Sequence, residues 1–190
     1  MKVSTRNKKK GYTLIELSVV MVLVIMIAGT LTSMLSQQVQ FLSWWNTQKF
    51  IAEDAPLVNN MVVRLFSQAD AFRVHNTQAN ALNGTGGTLA GGTAVMLGFS
   101  SPNGGKEYGI INYNAANGSI EYSNVTNNNG ILSIVNGDTW TMASGVAGAV
   151  FDVSNGTLNG VNVAGYEGVI EFTLTGPYGG QITYAASPSL

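Results

Sequence analysis

Two patterns of apolar and polar positions divide the chain. From Leu17 to Leu35 nearly every side chain is apolar, with Ser18, Gly29, Thr30, Thr32 and Ser33 as mild interruptions. No charge appears between Leu17 and Lys49. As a helix this run spans about 28 Å, close to the thickness of a bilayer's hydrocarbon. Beyond it, Leu31, Leu35, Val39 and Leu42 recur at three-to-four spacing with Gln37, Gln38 and Gln40 between them. Farther on, Leu57, Met61, Leu65 and Phe72 form one stripe, with Val58, Val62 and Ala69 beside it. The spacing predicts helix from about Tyr12 to Arg73. Pro56 removes a hydrogen bond from such a helix. A kink is therefore expected between Ala52 and Pro56, or a short break with Asp54 capping the second part.

After His75 the period changes. Residues 76–92 are rich in glycine and other small residues and are expected to be a connecting loop. From Thr93 onward the alternation is two-residue. "TAVMLGFS", "KEYGIINY" and "SIEYS" are separated by "PNGG" and "NAANG", which reads as strand, turn, strand, turn, strand. "GVAGAVFDV", "EGVIEFTLT" and "QITYAA" continue the pattern. In the second of these, Ile170, Phe172 and Leu174 share one face. Antiparallel hairpins with one buried face need a cover, and the helix stripe ending at Phe72 is the one available. The expected fold class is α+β: a long N-terminal helix, first transmembrane and then amphipathic, packed on an antiparallel β-sheet. The expected divisions are 1–11 before the helix, 12–36 in the membrane, 37–75 amphipathic, 76–92 loop and 93–190 β-rich head.

Charge adds orientation to this picture. The chain has a net charge of −1, but five of its nine Lys and Arg fall within the first ten residues. Past residue 11, four cations face ten acids, a side-chain balance of −6. A basic segment before an apolar run keeps the N-terminus cytoplasmic and sends the rest across. The acidic remainder lacks the basic patch that nucleic-acid binding needs, so no nucleic-acid partner is expected. There is no cysteine, which excludes disulfides, thiolate metal sites and a thiol nucleophile.

One position is out of character. Glu16 stands at the mouth of the apolar run, where an unpaired charge costs several kcal/mol. The surrounding "KKKGYTLIELSVVMVLVIMIAG" resembles the prepilin start of type IV pilins and type II secretion pseudopilins. By that resemblance Gly11 precedes a peptidase cut, and Tyr12 becomes the new, N-methylated terminus in place of the family's usual Phe. Glu16 is then the fifth mature residue. The resemblance implies a structural subunit rather than an enzyme, rooted in the inner membrane with its head periplasmic or extracellular; some pseudopilins bind calcium in their heads, but no cofactor or metal is expected from the residues here. The implied partners are the prepilin peptidase, other pilins or pseudopilins and an inner-membrane assembly platform. "QFLSWWNTQKFIAEDAPLVNNMVVRLFSQADAFRV", followed by "GVAGAVFDV" and "GVIEFTL", resembles the J-type minor pseudopilins and W-type minor pilins. Major pilins often close a C-terminal loop with a disulfide, so the missing cysteines favour a minor subunit.

Other readings explain less. A secretory signal has an apolar core of about 7 to 15 residues and a small-residue end; this run is longer and opens on Glu16. A plain single-pass anchor leaves Gly11 and Glu16 without a purpose. An anchored binding module, such as a tip adhesin or DNA-uptake subunit, is the alternative function. Trp44 and Trp45 suit either the outer headgroups or packing against the head. His75, the only histidine, is expected at a helix end with no catalytic partner. "GTGGTLAGG" lacks the ending of a phosphate-binding loop and reads as a flexible connection. Asp138, Asp152, Glu167 and Glu171 lack the spacing of a calcium loop.

Overall fold

The computed structural model describes residues 13–154 and 169–187. Gly11, Tyr12, Glu167 and the whole 1–11 segment lie outside the described residues. The chain divides into two compact units, residues 1–43 and 44–190.

In the first unit the described chain past Thr13 is helical. It belongs to α1, which runs Leu14–Lys49 and has no buried residue. The apolar run meets the length and composition needed to cross a membrane. Three of its hydroxyls bond back to the helix. Ser18 Oγ donates to Leu14 O at 2.9 Å, Thr30 Oγ1 to Ile27 O at 2.8 Å and Thr32 Oγ1 to Ala28 O at 2.9 Å. Every polar group so satisfied can enter hydrocarbon at reduced cost.

The second unit begins in the last turns of α1. A π-helical turn, Phe50–Asp54, follows, and then α2, Ala55–Gln68. The adjustment that Pro56 demands takes the form of this wider turn, in which the Ala55 N–H bonds back to Phe50 O. Asp54 does not act as the expected cap, since its side chain makes no capping bond.

α2 closes at Gln68, short of the predicted Arg73. Ala69 turns extended at φ −82°, ψ 135°, and its N–H bonds Phe66 O. Ala71–His75 is a strand, β1. Phe72 and Val74 alternate into the main core, so a period of two replaces the helical one. Phe72 meets Phe66 edge-on, with ring centroids 5.5 Å apart. The stripe α2 buries is Ala55, Val58, Val62 and Phe66, continued by Ala69. Leu57 and Met61, expected in the buried stripe, are 60% and 49% exposed.

The loop at 76–92 is more structured than its composition suggests. Thr77 caps a short helix, α3 (Gln78–Leu82), by accepting from the Asn80 N–H. β2 (Ala94–Ser100), β3 (Lys106–Asn114), β4 (Ser119–Asn128) and β5 (Ile131–Ser144) follow, then β6 (Gly148–Ser154), β7 (Val169–Thr175) and β8 (Gln181–Ala186). Among the described residues the head is two sheets rather than one, β1-β2-β3-β4-β5 and β6-β7-β8, with neighbouring strands antiparallel. The "GTGGTLAGG" segment ties them. The Val153 N–H donates to Leu89 O at 2.7 Å, and Gly92 and Phe151 exchange backbone bonds of 2.8 and 3.1 Å. It is thus a fixed connection, not a flexible one.

The main core gathers α2, one face of the larger sheet and the β6-β7-β8 sheet. Phe151 and Phe172 stack at 5.1 Å within it, and Ile170, Phe172 and Leu174 share the predicted inward face. A second cluster of Ala81, Ala94, Met96, Ile110 and Val125 covers part of the sheet's other face beneath α3. Burial on both sides explains why β2 reads as an almost unbroken apolar run. The turn between β7 and β8 seats the start of the head's helix closely. A Cβ on Gly176 would lie 2.5 Å from Phe50 Cδ1, and one on Gly180 would meet Thr47.

Candidate functional site at the helix start

The described N-terminus opens "TLIE", and those four residues build a closed local structure. Thr13 precedes the helix, and Glu16 is its third residue. The Thr13 N–H donates to Glu16 Oε2 at 2.9 Å, and the Thr13 hydroxyl donates to the same oxygen at 3.1 Å. The Glu16 N–H returns a bond to Thr13 Oγ1 at 3.3 Å. This is a capping box, in which two backbone donors left over at a helix start are satisfied reciprocally. The carboxylate also lies where the helix dipole favours negative charge. The T-x-x-E spacing of this box is readable in the sequence, although charge and apolar periodicity alone do not reveal it.

Glu16 therefore has two physical reasons to be there. Within one chain it starts the helix. Towards other molecules it offers an exposed carboxylate at the head of an uncovered apolar surface. Leu14, Ile15, Leu17, Val19 and Val20 around it are all more than half exposed. A cation brought close to this exposed carboxylate would be attracted to it.

The other singled-out residues do not join this site. His75 sits at the end of β1, not at a helix end, and is 2% exposed. Its Nδ1 lies 2.7 Å from Thr85 O, so that nitrogen carries the proton. Burial pushes its pKa down, the bond to Thr85 pulls the other way, and the Arg73 charge adds to the lowering. Asp152 accepts from the Gly91 N–H at 2.6 Å and pins the connection between the sheets. Asp138 accepts from Asn124 Nδ2 at 2.6 Å. Among the described residues no three His, Asp or Glu gather as a metal site. Trp44 and Trp45 are both more than half exposed.

Comparison with known proteins bears on the same end of the chain. A family model for the prokaryotic N-terminal methylation motif matches residues 6–32, a span that takes in Gly11, Tyr12 and Glu16. The chain thus carries a prepilin-type start followed by a long apolar helix and an antiparallel head, the layout of type IV pilin-like proteins. No curated protein and no solved structure matches it.

Proposed function

We propose that this chain, with its prepilin-type methylation motif, is a minor pilin or pseudopilin: a structural subunit of a type IV pilus or a type II secretion pseudopilus. The observation that carries the reading is the coincidence of that motif with Glu16 at the head of a helix whose whole apolar surface is uncovered. The prepilin peptidase would cut between Gly11 and Tyr12 and methylate the Tyr12 amine. The cut removes five cations and creates one new positive charge. In an assembly, a neighbouring subunit's amine would meet Glu16, and each charge would lose much of its desolvation penalty. Other pilins or pseudopilins and an inner-membrane platform are the partners of this step. The N-terminus would begin on the cytoplasmic side and the head would stand outside it.

Mass spectrometry of the protein from membranes that also hold the peptidase tests this reading. A chain beginning at methylated Tyr12 is expected. An intact Met1, or a cut beyond the apolar run, would overturn it. Glu16→Gln then separates the two roles of the carboxylate, because glutamine keeps the capping box and removes the charge. The variant is expected to be cleaved normally and to lose co-purification with the other subunits. Recovery at the wild-type level would reduce Glu16 to a helix cap.

A further inference from the structure

The larger sheet leaves one tryptophan half in water. Trp140 on β5 is 53% exposed. It stands opposite Tyr122 of β4, whose ring meets it edge-on at 4.9 Å with 63° between the planes. Tyr122 is itself 5% exposed and fixed from below. A Cβ on Gly109 would come within 2.7 Å of its Cζ, so β3 carries glycine where the ring lies. Two residues along from Tyr122 is Asn124, and two back from Trp140 is Asp138; Asn124 Nδ2 donates to Asp138 Oδ2 at 2.6 Å. Burial raises the Tyr122 hydroxyl's pKa first, and the nearby Asp138 and Glu107 raise it further.

A cross-strand aromatic pair accounts for the Tyr122 contact. It does not account for an indole left half in water next to a paired amide and carboxylate. That combination matches the chemistry of a sugar. A pyranose has one face of C–H groups, which lie against an indole, and a rim of hydroxyls, which bond to amides and carboxylates. We propose that Trp140, Tyr122, Asn124 and Asp138 form a binding site for an uncharged carbohydrate, the sugar ring lying on the indole and adjacent hydroxyls bonding to the Asn124–Asp138 pair. The tryptophan is held by a strand partner that is itself held, so little side-chain freedom is lost when a ligand arrives. The acids decide which sugars fit. Asp138 and Glu107 at the ring, in a chain with excess acid past residue 11, repel uronates and other acidic glycans. This site does not depend on the role of Glu16.

The test uses the full-length protein, labelled with ¹⁵N, in a detergent without a sugar headgroup. Maltohexaose, cellohexaose and chitohexaose are the neutral probes, and hexagalacturonate is the acidic one. The readouts are the Trp140 indole N–H resonance, assigned by its loss in Trp140→Phe, and the Asn124 side-chain amide resonances, which follow binding in the variants that lack the indole. At least one neutral probe is expected to shift it at millimolar concentration. Trp140→Ala is expected to weaken that binding about tenfold or more. Asp138→Asn is expected to weaken it while the indole still shifts. Should Trp140→Ala not fold, Trp140→Phe keeps a ring and is expected to weaken binding less, and Asp138→Asn supplies the second comparison. No shift with any neutral probe, unchanged affinity in the variants, or a preference for hexagalacturonate would overturn the proposal.

Discussion

Glu16 shows how one residue answers to two levels of structure. Its three bonds with Thr13 start the helix within a single chain, while under the proposed function its charge would dock a neighbouring subunit's amine. His75 is the opposite case, a residue whose role the head alone decides. It is buried and neutral, with Arg73 two residues away adding to the penalty on a second charge. Its folded pKa lies below the ordinary value of 6.5, so below that value the unfolded chain binds the proton more readily. Stability is therefore complete above that value and falls as pH drops towards the depressed folded pKa. Urea midpoints of the head at pH 7.5 and pH 5 should show this loss, and His75→Gln should remove that component of the slope. An equal slope in wild type and variant would mean that other groups carry the acid response.

At the scale of elements, α2 separates pattern from packing. Its sequence offers two adjacent apolar stripes, and periodicity ranks them about equally. The sheets bury the one on Val58, Val62 and Phe66 and leave Leu57 and Met61 outside. Phe66→Ala is expected to cost the head about 3–5 kcal/mol. Leu57→Ser with Met61→Ser is expected to stay within about 0.5 kcal/mol of wild type per substitution. Chemical denaturation of both variants checks the assignment, and the reverse order of losses would contradict it. β5 was illegible for a related reason. It is an edge strand with no buried residue, and its pairing with β4 shifts register between Ser123 and Val125. Gly137 and Asp138 interrupt its alternation, so period counting finds no strand there. β1 was hidden because Phe72 falls at a spacing that also continues the helix of Leu65.

At the scale of the whole molecule, the two units differ in the surroundings their composition suits. The described residues up to 43 bury nothing of their own, whereas the head closes two cores. The head's core is drawn from α2 and both sheets, so it does not need the apolar run. A fragment beginning at Trp44 is expected to be soluble and to unfold in one cooperative transition followed by circular dichroism. A fragment that stays unfolded, or melts without cooperativity, would show that the first unit contributes to the head's stability.

The sequence by itself determined the membrane-competent helix, the prepilin-type start and the α+β class. Each rests on local information: an unbroken apolar run, a short motif, and a period that changes from 3.6 to two. The capping box belongs in the same group, because its partners lie three residues apart. Only the tertiary structure decided that the strands split into two sheets, that a glycine-rich connection ties them, and which stripe of α2 is covered. Those outcomes depend on contacts between residues far apart in the chain, and no local period contains them. The pairing of Trp140 with Tyr122, and of Asn124 with Asp138, is of this kind: the strand register brings together side chains that are 18 and 14 positions apart.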